Sequence, residues 1–181
     1  MTTDTNIRTC GESSDRCKEC CLALPVLRED RTIFKEACSP CKYQTQGGCA
    51  IYGRADWPNG CRKYFCGYIL DDHLLGPHQR PDKTGVVPTW LKMDEDAGLE
   101  RLVLLSESRN NAFLSREGKE VIALYLRHTG IVRLCTMRQK EKLLIDESRQ
   151  DACTEAYKEG CELSGIPVYL TSPNHVEIFG P

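Results

Sequence analysis

Cys17-Lys18-Glu19-Cys20-Cys21, Cys38-Ser39-Pro40-Cys41, Gly48-Cys49-Ala50-Ile51-Tyr52 and Pro58-Asn59-Gly60-Cys61-Arg62-Lys63-Tyr64-Phe65-Cys66 place eight cysteines within fifty residues. Cys17 and Cys20, like Cys38 and Cys41, are separated by two residues, a gap that lets both sulfurs of one turn converge on a tetrahedral ion. A thiolate is a soft, anionic donor, so the stretch reads as metal ligands or as disulfides before it reads as anything else. The 115 residues that follow hold only Cys135, Cys153 and Cys161. The chemistry is therefore expected at one end of the chain. Cys38-Ser39-Pro40-Cys41, Gln46-Gly47-Gly48-Cys49 and Trp57-Pro58-Asn59-Gly60-Cys61 are turn sequences, in which Gly, Pro and Asn let the backbone aim thiols inward.

Eight thiolates complete two closed four-thiolate sites of the structural zinc type. One iron–sulfur cluster using four of them is the other arrangement. The ferredoxin pattern of three cysteines at two-residue intervals is missing, which disfavours that type of electron carrier but not another iron–sulfur centre. Cys20 and Cys21 are neighbours, and neighbouring side chains diverge in extended or turn backbone. They are therefore expected to serve different centres or different roles.

The order Cys17-x2-Cys20-Cys21, Cys38-x2-Cys41, Gly48-Cys49-Ala50-Ile51-Tyr52, Pro58-x2-Cys61-Arg62-x-Tyr64 and Cys66 resembles the YkgJ-type cysteine-cluster family, over about residues 17–75. That family is described as zinc- or iron-chelating, and flagellin lysine N-methylase-like proteins share its cysteine signature. The resemblance implies a metal-ligand role for Cys17, Cys20, Cys21, Cys38, Cys41, Cys49, Cys61 and Cys66. One departure stands out. The family pattern has Ile-Tyr-x-x-Arg-Pro, whereas the segment 52–58 is two residues longer here and puts Trp57 where the arginine belongs; Arg54 is the candidate substitute. Arg62, directly after a cysteine, is a candidate donor to thiolate sulfur. Tyr52 and Tyr64 read as packing residues.

The chain of 181 residues suits one domain, or a cysteine module fused to a second small unit. Net charge is −2, with 11 basic and 10 acidic residues up to Arg80 and 13 and 16 beyond it. No basic footprint for nucleic acid results. Eight ionised thiols around two divalent ions would add about four negative charges, which would repel phosphates further. No apolar run approaches the roughly eighteen residues of a membrane span. Residues 1–16 are polar, read as a flexible arm and lack a secretory core, so a reducing cytoplasm is the expected compartment.

Past the block, residues 64–70 form an aromatic and apolar run suited to covering Cys66, and residues 76–82 read as a linker or extended connection. A conventional α+β pattern follows. Residues 101–105 suit a strand. Ser115 opens a helix in which Val121, Ile122, Leu124 and Tyr125 recur at helical spacing, and Gly130 closes it behind His128. Residues 131–137 and 142–145 read as a strand pair. Ser148 and Asp151 resemble a capping box for a helix to about residue 164, and residues 167–170 and 175–179 read as two closing strands. Cys135, Cys153 and Cys161 lie in these periodic segments as small packing thiols. Asp71, Asp72, His73 and His78 form an acidic and imidazole group that reads as a solvated loop. No phosphate-cradling glycine motif occurs.

These features define an α+β fold: a flexible arm over 1–16, a loop-rich metal module over 17–75, and a mixed helix–strand unit over 82–181 packed against it. The function expected is a cytoplasmic zinc or iron–sulfur protein with a metal ion and a protein partner or substrate, and with neither nucleic acid nor membrane. The alternatives are a protein-modifying, lysine N-methylase-like enzyme using the cluster and, third, a disulfide-stapled secreted module.

Overall fold

The computed structural model describes residues 17–71, 73–91, 102–149 and 151–176. The arm, Cys10, Asp72 and most of the strand expected over 175–179 lie outside the described residues, as does the side chain of Cys153. The α+β class is as expected.

The larger part is a five-stranded mixed sheet. Its strands are β5 (Val86–Leu91), β6 (Leu102–Glu107), β7 (Ile131–Cys135), β8 (Glu141–Asp146) and β9 (Val168–Thr171), in spatial order β5-β6-β7-β8-β9. β5 and β7 run antiparallel to β6 and β8 respectively; β6/β7 and β8/β9 are parallel pairs. A parallel neighbour needs a long crossover, and each parallel pair has a helix in it: α5 (Arg116–Thr129) between β6 and β7, α6 (Ala152–Leu163) between β8 and β9. Period-2 alternation divides the strand residues between the two faces. Val103, Leu105, Val132, Leu134 and Leu144 pack with Val121, Ile122, Tyr125 and Leu126 of α5. Leu102, Ile131, Leu143 and Ile145 pack with Cys161 and Tyr157 of α6. Both faces are covered, so the central strands carry almost no exposed apolar side chain.

The helix ends follow from their sequences. Ser115 Oγ accepts from Gly118 N at 2.9 Å, and Gly130, at φ 77°, closes α5 through Gly130 N to Leu126 O at 2.8 Å. The cap of α6 is Asp151, whose carboxylate accepts from Thr154 N at 2.8 Å. Ser148, the residue expected to open that capping box, instead bonds to Asp146. His175 and Val176 lie in no strand. The stretch expected to be an extended linker is helical: a 3-10 turn (Pro77–Gln79) runs into α4 (Pro81–Thr84). Pro77 and Pro81 each sit at the first position of a turn, where a missing N–H is harmless and φ is already set for a helix.

The smaller part is made of short pieces: α1 (Glu19–Ala23), the hairpin β1 (Val26–Leu27)/β2 (Ile33–Lys35), the hairpin β3 (Gln44–Thr45)/β4 (Gly48–Cys49), α2 (Asn59–Lys63) and α3 (Gly67–Leu70). It packs on the β5 edge of the sheet, and Ala23, Cys66, Tyr68 and Leu75 belong to the same core as Val86, Val87 and Tyr125. Asp71 pins the seam, accepting from Trp90 Nε1 at 2.8 Å and Tyr125 OH at 2.9 Å. Among the described residues no helix is long and apolar enough to cross a membrane.

Candidate metal centre

Each short piece presents one or two of the eight cysteines. α1 carries Cys20 and Cys21, with Cys17 just ahead of it. The turn after β2 carries Cys38 and Cys41, β4 carries Cys49, α2 carries Cys61, and Cys66 caps α3. All ten cysteines among the described residues stand as thiols. Local backbone bonds fix the turns: Gln44 N to Cys41 O at 2.9 Å, Tyr52 N to Cys49 O at 3.2 Å and Cys61 N to Pro58 O at 3.0 Å. Cys38 adopts the left-handed φ of 53°. Its N–H donates to Ala23 O at 3.2 Å and its Sγ to the same oxygen at 3.8 Å.

Two lysines tie these pieces together. Lys18 Nζ donates to Thr45 O at 2.7 Å and to Gln46 O, joining the segment before α1 to the β3–β4 turn. Lys35 is 6% exposed, and its Nζ donates to Leu22 O at 3.0 Å, Leu24 O at 2.7 Å and Glu36 O at 2.6 Å. Neither lysine announces itself in the sequence. On β2 the pattern is inverted: Ile33 is 54% exposed while Lys35 is buried. A hydropathy reading assigns the lysine to solvent. The three carbonyls that accept from its Nζ account for its place.

The electrostatics report which thiols share a neighbourhood. Burial, reinforced by Cys21, Cys41 and Cys49, pushes the Cys61 thiol up to about 11, with Lys35 partly opposing. Cys21 is lowered to about 7, first by a hydrogen bond from Cys20 and then, against its burial, by the charges of Lys35 and Lys18. Burial lowers Lys35, and Cys41, Cys21, Cys38 and Cys20 act against that. Cys21, Cys41 and Cys49, each from a separate segment, thus act on Cys61, and Lys35 acts on both Cys61 and Cys21. Cys66 and Cys20 instead act on Tyr64, whose hydroxyl is raised mainly by burial and bonds Thr89 Oγ1 at 3.1 Å. Cys66 Sγ donates to Pro88 O at 3.6 Å.

Several sequence expectations need correction at this level. Cys20 and Cys21 lie in helical rather than extended or turn backbone, where successive side chains are about 100° apart, and the Cys20 thiol hydrogen-bonds Cys21. Arg62 serves loop carbonyls rather than sulfur, donating to Trp57 O at 2.9 Å, Arg54 O at 2.7 Å and Ala55 O at 3.1 Å. It also lies over the Trp57 ring, against which Tyr52 packs at 4.5 Å. Arg54 pairs with Asp56 in solvent. Cys135 stands nearer the block than its strand suggested: burial, then Glu141 and Cys38, raise its thiol to about 11. Gln139 Nε2 donates to Cys38 Sγ at 3.0 Å. Asp71 belongs to the seam, not to a solvated loop.

The donor set suits a thiophilic ion, being soft sulfur beside cationic counter-charge. It is a gathering rather than a finished cage. Among the described residues no group of three or more Cys, His, Asp or Glu side chains has metal-holding geometry. No protein-family model, curated protein or solved structure matches this chain.

Proposed function

We propose that the chain is a metal-binding protein whose N-terminal module takes a soft ion, zinc or the iron of an iron–sulfur centre, on cysteine thiolates. The observation that carries this reading is that Cys21, Cys41 and Cys49, on separate segments tied together through Lys18 and Lys35, all act on the Cys61 thiol. Thiols drawn from α1, the β2–β3 connection, β4 and α2 have no packing reason to approach one another in a module with so few buried apolar side chains. A tetrahedral thiolate site gives them one. Cys17, Cys20, Cys38 and Cys66 are the remaining donors for a second ion or a larger cluster. When bound, the ion supplies cross-linking free energy, and coordination completes the fold of such modules. The chain's own residues do the rest: Lys18 and Lys35 hold the pieces in register, and the Cys20 thiol supports Cys21 by hydrogen bonding. The resemblance to YkgJ-type cysteine-cluster domains points the same way, and thiols kept reduced for this purpose belong in a reducing compartment such as the cytoplasm.

Metal analysis with a visible spectrum, on protein purified without oxygen, tests this. Stoichiometric zinc in a colourless protein, or iron with a brown charge-transfer spectrum, is the expected outcome. Protein carrying neither, and taking up neither on reconstitution, would rule the reading out.

A further inference from the structure

Lys35 is a cation in a place that normally excludes one. Burying an ammonium costs several kcal/mol unless its protons and its charge are both met. Its three protons are met by the carbonyls of Leu22, Leu24 and Glu36. Those acceptors are neutral. No carboxylate pairs with Lys35 among the described residues, where the ion pairs lie elsewhere. Two of the three carbonyls, Leu22 and Leu24, come from the end of α1 and the residue after it. The carbonyl between them, Ala23 O, is the one that holds Cys38. The ammonium is therefore anchored beside the junction of the two segments that bear Cys20, Cys21 and Cys38, and Cys41 is among the charges acting on it. Among the described residues, the groups that act on Lys35 as negative charges are the cysteines Cys41, Cys21, Cys38 and Cys20.

We propose that Lys35 is the built-in counter-ion of the thiolate centre, a positioning residue whose fixed charge sets how tightly the module holds a soft divalent ion. The inference rests on the metal-binding reading above. A four-thiolate site around a divalent ion carries a net charge of about −2, and a fixed positive charge held beside it offsets part of that excess. A cation beside a metal-bound thiolate also lowers the energy of the sulfur lone pairs. Lys18, which bonds Thr45 and Gln46 carbonyls, contributes to the same field more weakly at Cys21.

Cobalt(II) titration of the full chain provides the test, because sulfur-to-cobalt charge-transfer bands report both affinity and sulfur electronics. The variants are K35Q, which loses the charge, and K35R, which keeps it but spreads it over a guanidinium. K35Q is expected to bind cobalt at least roughly tenfold more weakly, about 1.4 kcal/mol of lost charge–charge attraction. Its charge-transfer band is expected at lower energy than in the parent chain. K35R is expected between the two in both readouts. A purely structural pin would weaken binding without moving the band, so an unmoved band in K35Q overturns the proposal. Should K35Q take up no cobalt, the K35R band decides in the same way, and an unmoved band there overturns it. A parent chain that binds no cobalt would instead refute the metal-binding reading itself.

Discussion

At the scale of single residues, adjacency in sequence does not settle how two thiols divide their work. Cys20 hydrogen-bonds Cys21, yet Cys21 acts with Cys41 and Cys49 on Cys61, while Cys20 acts with Cys66 on Tyr64. Cys21→Ser is therefore expected to lose the ion of the Cys61 set. Cys20→Ser should leave that ion in place with reduced affinity, since it removes a hydrogen bond rather than a donor. Metal content of the two variants after dialysis against a weak chelator distinguishes them, and equal, complete loss from both would contradict this division. Away from the thiols, Arg80 Nε bonds Asp82 Oδ1 at 2.6 Å and Arg80 Nη2 bonds Oδ2 at 2.8 Å. These bonds hold the Asp82 carboxyl below its ordinary pKa. A depressed carboxylate contributes stability above its unfolded pKa of about 3.9 and loses it as pH falls through the native value. Asp82→Asn should cost about 1 kcal/mol at pH 7. Its denaturant midpoint should converge on the parent's as pH falls through the depressed native value of Asp82, below which both chains carry a neutral side chain.

At the scale of elements, what could be read from sequence is what depends on local periodicity and caps. α5 lies where Ser115 and Gly130 put it, and β7 and β8 follow their apolar runs. The turn at residues 76–82 could not be read so easily. Proline signals both the end of extended chain and the first residue of a helix, and here the second use prevails. In the cysteine module the candidate ligands stood out because cysteines are rare, but the contacts that order their segments did not. Those contacts depend on Lys18 and Lys35 reaching carbonyls 27 and 11 or 13 positions away, and such pairings leave no periodic trace. The start of α5 offers a test of the legible part. Ser115→Ala removes the cap on Gly118 N and should cost about 1 kcal/mol. Gly118→Ala should cost more, although alanine is the better helix former, because an added Cβ would stand 2.0 Å from Ala112 O. That contact is with backbone, so the 3-10 turn (Ala112–Leu114) must move. Thermal melts of the two variants check the order, and a stabilised Gly118→Ala chain would refute the steric argument.

At the scale of the molecule, the module divides into an inner side that shares the sheet's core and an outer side held by polar links. Ala23, Cys66, Tyr68 and Leu75 are buried with the β5 edge and α5. Gly67 approaches so closely that a Cβ there would meet Tyr125 OH at 2.9 Å and Pro88 Cβ at 3.0 Å. Between residues 24 and 63, by contrast, Ile51 and Pro58 are the only buried apolar side chains of Val, Ile, Leu, Phe, Tyr, Trp or Pro type. Hydrophobic burial cannot hold that outer stretch. A bound structural ion, contributing on the order of 10 kcal/mol in zinc modules, can. Stripping metal from the whole chain with a strong chelator should therefore open it unevenly. New protease cuts are expected between Cys38 and Cys61, while residues 64–75 stay protected with the sheet because Asp71, Tyr64 and Cys66 remain bonded to β5 and α5. Mass mapping of limited digests before and after chelation reads this directly. The two tryptophans give a second view, since Trp57 lies in the outer stretch and Trp90 on β5 at the seam. In a Trp57→Phe chain, chelation should leave the remaining fluorescence nearly unchanged. In a Trp90→Phe chain it should shift the emission to the red as Trp57 meets water. Cuts that appear equally at 64–75, or a red shift from Trp90, would show instead that the sheet edge depends on the metal as much as the outer stretch does.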